Sequence, residues 1–238
     1  MQERHDGRLQ PRHAGTGSNG KNGACLQRLQ PRETLFIDGE RAHSVFRVRS
    51  GLVMTYRLLS DGRRQIHSFA RTGDFLTLGT GDLYTVSAEA ITESSVEVFR
   101  RGKLDNILRE DSVFGRQLIQ RLTHELSVAR EQAAMLGRKS AMERIASFLV
   151  FLDRRGDRTP DELIAIPMTR NDIADYLGLT LETVSRMIHR LKALGLIDLP
   201  RPDRFRVLCP PELAEAAGEG LWQPRLDSDQ GEPDWEFH

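Results

Sequence analysis

Apolar residues recur along this chain with two different periods, and the change of period divides it. Between residues 33 and 100, short apolar segments are separated by glycines: TLFI before Gly39, SVFRV before Gly51, LVMTYRLL before Ser60-Asp61-Gly62, and QIHSFA before Gly73-Asp74. TVSAEAI and SVEVF follow. Strand-like runs at regular spacing predict a barrel or jelly roll, and Asp61-Gly62 is a hairpin signal. After Asp111-Ser112 the period lengthens, and a helix is predicted to about Gly137. Ile119, Leu122, Leu126, Ala129, Ala133 and Leu136 are spaced 3, 4, 3, 4, 3. That is an a/d seam, and two such helices can pair as a homodimer, with the small residues at 129 and 133 bringing the backbones close. The same stripe also fits a helix packed on its own domain. A further amphipathic helix is predicted over 140–152 (SAMERIASFLVFL), followed by a loop over 157–168 containing Pro160 and Pro167.

Residues 169–192, TRNDIADYLGLTLETVSRMIHRLK, are the most informative. Thr169 can cap a helix through the N–H of Asp172, and Asp172 suits its positive end. Ile173, Ala174 and Leu177 form the inner face. Gly178 ends the helix, since glycine tolerates the left-handed conformation there. Thr180 then caps a second helix with Val184, Ile188 and Leu191 inside. This leaves Leu181, Glu182, Ser185, Arg186 and His189 outward at its N-terminal end. Helix, glycine turn and helix is the helix-turn-helix layout, whose second helix enters the major groove of DNA.

The outward residues suit that groove. Arg186 can donate two hydrogen bonds to guanine O6 and N7, Glu182 can accept from a cytosine amino group, and Ser185 is short enough to approach a base edge or a thymine methyl. Glu182 and Arg186 are four apart and project side by side, so the arginine offsets phosphate repulsion of the acid. Alone, such a pair reads as a surface ion pair; the Thr-Gly-Thr framework gives it a reading role. Beyond the helix, Gly195–Pro200 and Phe205–Leu208 read as strands joined by a tight turn at 201–204, the wing of a winged helix. Thr169, Arg170, Thr180, Thr183, His189, Arg201 and Arg204 are assigned to the phosphate backbone, where contacts give affinity rather than sequence choice.

The 34 basic and 34 acidic side chains cancel, which argues against nonspecific nucleic-acid packaging but permits a local DNA-binding face. Six bases lie between Arg186 and Arg206, against Asp198 and Asp203, while 227–236 holds five acids and no base. The two cysteines, Cys25 and Cys209, form no CxxC pair. A disulfide framework or a four-cysteine cluster within one chain is therefore not expected, and no metal site is assigned. No apolar run is long enough to span a bilayer, and MQERHDGRLQPRH has no apolar signal region, so a cytoplasmic protein with no membrane partner is expected.

Across residues 30–210 the chain resembles the CRP/FNR superfamily. TRNDIADYLGLTLETVSR is similar to its DNA-binding signature. The segment with Gly39, Gly51 and Gly73-Asp74 resembles its cyclic-nucleotide-binding-type roll. The run from Glu182 to Arg186 is of the FNR and FixK type; CRP itself has Gly at the position of Ser185. The resemblance implies an α+β protein: an N-terminal β-roll, a long dimerisation helix and a C-terminal winged helix-turn-helix. It also implies binding to an inverted repeat of the TTGAT-N4-ATCAA kind, mostly as an activator recruiting RNA polymerase, with Glu182, Ser185 and Arg186 in the base-reading positions. The organisation expected is a disordered arm over 1–24, the roll over 25–111, the dimer helix over 112–138, the DNA-binding domain over 139–210 and an acidic tail over 211–238.

The resemblance has gaps in the sensor. The family's ribose-binding Glu is replaced by Leu78, and its phosphate-binding Arg-Ser pair aligns with Tyr84-Thr85. No basic residue lies between Arg71 and Arg100. No cAMP binding and no cofactor are therefore expected, and FNR-type cluster sensing lacks its thiolates. The FixK-like branch fits best, implying low-oxygen, respiratory or nitrogen-fixation control. The alternative is a ligand-gated sensor, with haem, nitric oxide or a small effector in the roll; His43 and His67 are candidate haem ligands, though each also fits a surface or strand histidine. Cys209, just after the wing, is a candidate redox site or a small buried strand-end residue. No G-x-S-x-G, Walker loop, HExxH or paired catalytic carboxylate motif is present, so no enzyme is expected.

Overall fold

The computed structural model describes residues 24–76, 81–154 and 161–218. Strands β1 (Cys25–Leu29), β2 (Thr34–Phe36), β3 (Ser44–Ser50), β4 (Val53–Leu58), β5 (Arg64–Ala70), β6 (Phe75–Leu76), β7 (Ser87–Ala90) and β8 (Ser94–Arg100) come first. They are followed by helices α1 (Arg101–Glu110), α2 (Ser112–Arg138) and α3 (Ala141–Arg154), then β9 (Ile164–Ala165), α4 (Arg170–Leu177), α5 (Leu181–Ala193), β10 (Ile197–Arg201), β11 (Arg204–Val207) and α6 (Pro210–Ala216). The arm before residue 24, Leu78, the 155–160 part of the loop and the tail beyond 218 lie outside the described residues. The chain divides into two compact units. One takes in the described residues up to Gly137 together with Pro167–Leu181; the other takes in Arg138–Ile166 and the described residues from Glu182 onward.

The first unit contains the expected roll. Its described strands form two antiparallel four-stranded sheets, ordered β1-β8-β3-β6 and β2-β7-β4-β5. The period-2 alternation sorts the strand side chains between two cores. On β3, Phe46 and Val48 enter the roll interior with Leu29, Phe36, Val53, Tyr84 and Val96. Val45, one residue earlier, faces the opposite way and joins Phe75, Phe99, Ile107, Phe114 and Leu118. This second cluster anchors α1 and the start of α2 against the outside of the roll. Arg47 shares that face: its guanidinium lies 5.7–5.8 Å from the ring centres of Phe75, Phe99 and Phe114, and its Nε donates to Glu97 at 2.6 Å. The strand patterning did not signal α1, which falls within the segment assigned to the roll.

α2 is 27 residues long, or roughly 40 Å at the helical rise. Asp111 Oδ1 accepts from the N–H of Phe114 at 2.8 Å, capping its first turn. Phe114 and Leu118 are buried, but the seam beyond them emerges: Ile119 is 66%, Leu122 39% and Leu126 52% exposed. Ala129 and Ala133 are also exposed, and Leu136 is half-buried. In the second unit α3 packs on α6 and β9, and β10, β11 and β9 form a small antiparallel sheet over the buried Phe205. α6 occupies 210–216, so the stretch assigned to an acidic tail opens with a helix.

One glycine is tightly constrained. Gly51 turns β3 into β4 at φ +85°, and a Cβ there would stand 2.4 Å from the carbonyl oxygen of Glu93 and 2.7 Å from Cα of Ser94. Left-handed strain and a backbone clash act together, so Gly51→Ala should destabilise the protein by about 2–4 kcal/mol. Equilibrium urea unfolding measures this; a change within about 0.5 kcal/mol would contradict the turn geometry.

Candidate nucleic-acid interface

The helix-turn-helix begins with a complete capping box. Thr169 Oγ1 accepts from the N–H of Asp172 at 3.1 Å, while Asp172 Oδ2 accepts from the N–H of Thr169 at 2.9 Å and from its hydroxyl at 2.7 Å. Two orphan donors at the start of α4 are thereby satisfied. Ile173, Ala174 and Leu177 are buried as expected. Gly178 closes α4 at φ 62°, ψ 42°, the left-handed cap that its sequence position called for.

α4 carries a second set of contacts within the first unit. Asp172 is fully buried, at 0% exposure. Its Oδ1 accepts from Arg64 Nη2 at 2.5 Å and its Oδ2 from Arg32 Nη2 at 3.1 Å. Arg64 Nε donates to Asp175 at 2.8 Å. Gln65 Nε2 donates to the carbonyl oxygen of Asp175 at 3.0 Å, Gln132 Nε2 to that of Tyr176 at 3.4 Å, and the Tyr176 ring stands 4.9 Å from that of Phe69. Burial by itself would raise the Asp172 pKa, but the Thr169 hydroxyl, Arg32, the Thr169 backbone and Arg64 outweigh it and hold the carboxyl below the ordinary carboxylate value. Sequence reasoning placed Asp172 in the capping box and found neither arginine; partners 108 and 140 residues away leave no local signal.

α5 presents the predicted face. Val184, Ile188 and Leu191 are buried, whereas Leu181, Glu182, Arg186 and His189 are exposed and Thr183 and Ser185 are half-buried. His189 Nδ1 lies 3.3 Å from the carbonyl oxygen of Ser185, which orients the ring along the helix. Thr180, immediately before α5, and Thr169 are exposed, and Arg170 is half-buried. The wing strands β10 and β11 pair Ile197 with Val207, Asp198 with Arg206 and Arg201 with Arg204. Arg201 and Asp203 form an ion pair at 3.2 Å, with side chains 67% and 50% exposed. Such an exposed pair contributes little to stability. Arg204 is half-buried and Arg206 exposed.

Residues 143–216 match the Crp-like helix-turn-helix domain family, and residues 26–111 match the cyclic nucleotide-binding domain family. The chain belongs to the CRP/FNR superfamily. It is 42% identical to the transcriptional activatory protein AadR of Rhodopseudomonas palustris, covering 77% of each chain. It is 37% identical to the nitrogen fixation regulation protein FixK of Rhizobium meliloti, covering 76% of this chain and 85% of that one. The structure of FixK2 from Bradyrhizobium japonicum superposes with a TM-score of 0.74 at 37% identity, over 81% of this chain and 96% of that one. The expected fold agrees with this CRP/FNR architecture, and the relatives are regulators rather than enzymes. The helix-turn-helix family and the long helix support DNA and a second copy of the chain as partners.

Within this CRP/FNR roll, Tyr84 occupies the interior. Its ring centre is 4.3 Å from that of Phe36 and 6.3 Å from that of Phe46, and its hydroxyl donates to the carbonyl oxygen of Ser44 at 3.2 Å. Thr85 is exposed, as are His43 and His67. Cys25 and Cys209 are both half-buried free thiols. No described helix is long and apolar enough to cross a membrane.

The depressed pKa of Asp172 makes its pairing a pH-dependent contribution. A carboxyl that binds its proton less readily when folded stabilises the fold above its unfolded pKa, near 3.9, and loses that contribution as pH falls through the folded value. Asp172→Asn should therefore cost about 3 kcal/mol at neutral pH, and the gap should narrow progressively as pH falls below about 3.9. Urea unfolding of both proteins from neutral to acid pH checks this; a gap independent of pH would show that the carboxylate charge is not the cause.

Proposed function

We propose that this protein is a homodimeric transcription activator that reads a TTGAT-N4-ATCAA-type palindrome through Glu182, Ser185 and Arg186. The observation that carries this reading is the face of α5, where an exposed acid and base stand four residues apart opposite a fully buried apolar row. An exposed carboxylate and guanidinium at that spacing can address adjacent cytosine and guanine edges. Thr169, Arg170, Thr180, Thr183, His189, Arg201 and Arg204 hold the phosphate backbone and set register. The activator role and a place in nitrogen-fixation control are supported by likeness to the transcriptional activatory protein AadR and the nitrogen fixation regulation protein FixK; low-oxygen or respiratory control and recruitment of RNA polymerase are what membership of the superfamily implies.

The reading includes control without a small-molecule effector. At the place of the family's phosphate-binding arginine stands Tyr84, already engaged with Phe36, Phe46 and Ser44. A cyclic nucleotide there would meet an aromatic ring in place of the family's arginine. The ligand-gated alternative requires operator binding that appears only with a ligand, or a Soret band in the purified protein.

Dimerisation rests on the α2 seam. Each large apolar side chain removed from water contributes about 1.5–3 kcal/mol, and Ile119, Leu122 and Leu126 are unburied within one chain. Ala129, Ala133 and Leu136 continue the stripe toward the helix C-terminus.

Arg186→Ala should weaken binding to the palindrome by about 1–3 kcal/mol and relax the preference for guanine at one position of each half-site. Competition binding with single-base variants of the duplex tests this; undiminished discrimination would remove Arg186 from the base-reading set. Leu122→Glu combined with Leu126→Glu should yield a monomer with poor operator affinity, because half-sites about 34–36 Å apart need two linked subunits. Sedimentation and operator titration check it, and a mutant that remains dimeric would discredit the seam.

A further inference from the structure

We propose that Arg32 and Arg64 are positioning residues for operator recognition: by clasping Asp172 and Asp175 they fix α4, the first helix of the helix-turn-helix. The inference rests on the DNA-reading role proposed above.

The clasp is built from parts with little freedom. Arg64 leaves the start of β5 only 21% exposed, lying 5.5 Å from the Tyr56 ring and 3.8 Å from Met54 Sδ. From that slot its Nη2 reaches Asp172 and its Nε reaches Asp175, one helical turn apart on α4. Bridging two carboxylates from one planar group needs a guanidinium; a lysine ammonium offers a single point. Arg32 approaches Asp172 from the β1–β2 turn with φ at 69°, a conformation uncommon for a residue with a Cβ. Its Nη1 is held by Glu89 on β7 at 3.1 Å.

The clasp closes on a residue that already has a task. Asp172 is the N3 member of the capping box, so the same carboxylate that starts α4 is the one that both arginines grip. Losing either arginine while Asp172 stays out of water would leave its charge poorly compensated, which is costly, so the contact resists partial loosening. α4 passes directly through the three-residue turn 178–180 into α5, so whatever fixes α4 restricts where α5 departs. Glu182 and Arg186 are exposed on α5, and under this proposal fixing α4 favours their reading of DNA. This supplies by built-in ion pairing the fixation that an effector would otherwise have to induce.

The test uses the full-length protein and two duplexes of equal length, a TTGAT-N4-ATCAA palindrome and a scrambled sequence. Arg64→Ala and Arg32→Ala/Arg64→Ala should raise the Kd for the palindrome by about tenfold or more while changing that for the scrambled duplex less than about twofold. Hydrogen exchange over 170–177 should accelerate in both. Asp175→Asn, at a partly exposed position outside the capping box, should give the same split on a milder scale. Arg64→Lys should restore less than half of the lost discrimination. Faster exchange with unchanged palindrome affinity would reduce the clasp to a structural tie and overturn the proposal. Equal losses on both duplexes, or unchanged exchange at α4, would overturn it too. If the wild-type protein fails to distinguish the duplexes, the reading of α5 falls first and the clasp proposal with it.

Discussion

A carboxylate taken out of water must find positive partners and hydrogen-bond donors or give up its charge, and Asp172 meets this demand from three directions. The Thr169 backbone and hydroxyl satisfy it locally, Arg32 and Arg64 from the roll. Neither set is sufficient by itself: the capping box supplies donors but no cation, and the arginines supply charge but not the helix start. Because one side chain serves both, the cap of the first helix of the helix-turn-helix is joined to residues of the roll far away in sequence. These contacts lie within the compact unit that holds both the roll and α4.

α2 meets a different demand. Its first turns are paid in aromatic contacts, with Phe114 buried among Phe75, Phe99 and the Arg47 guanidinium. From Ile119 onward its apolar stripe is open within the single chain. A long helix secured at one end and apolar along its free length is matched by a second copy of itself, since an isologous pairing presents every seam residue to its own equivalent. Under the proposed reading, the small side chains at Ala129 and Ala133 let the two backbones approach closely.

Much of this was legible in the sequence wherever the signal was local. The roll followed from glycine-punctuated strands, α2 from a seven-residue period, and the box at Thr169 and the cap at Gly178 from residue type at a fixed offset. The outward set on α5 followed from the buried row opposite it. What escaped was of two kinds. α1 is a ten-residue helix whose apolar positions, Leu104, Ile107 and Leu108, are too few to stand out against the strand pattern before it. The clasp escaped because nothing about Arg32 or Arg64 marks them apart from other arginines near turns; their meaning lies in contacts closed only by the tertiary fold. The α6 helix was hidden by the acidic character of the residues beyond it, although Pro210 and Pro211 at its start are a recognisable entry signal.

The interior of the roll bears on how such a regulator can be controlled. A cyclic-nucleotide-type roll switches when a ligand's phosphate and ribose supply interactions that differ between two states, since a ligand can shift an equilibrium only by its differential affinity. Here Phe36, Phe46 and Tyr84 are in mutual ring contact, and the Tyr84 hydroxyl both donates to Ser44 O and accepts from its N–H. A nucleotide entering at Tyr84 would first have to break two hydrogen bonds and an aromatic cluster. The balance runs against ligand entry at that position. Under the proposed reading, the fixation of α4 comes from within the chain, through the ion pairs of Arg32 and Arg64 on Asp172.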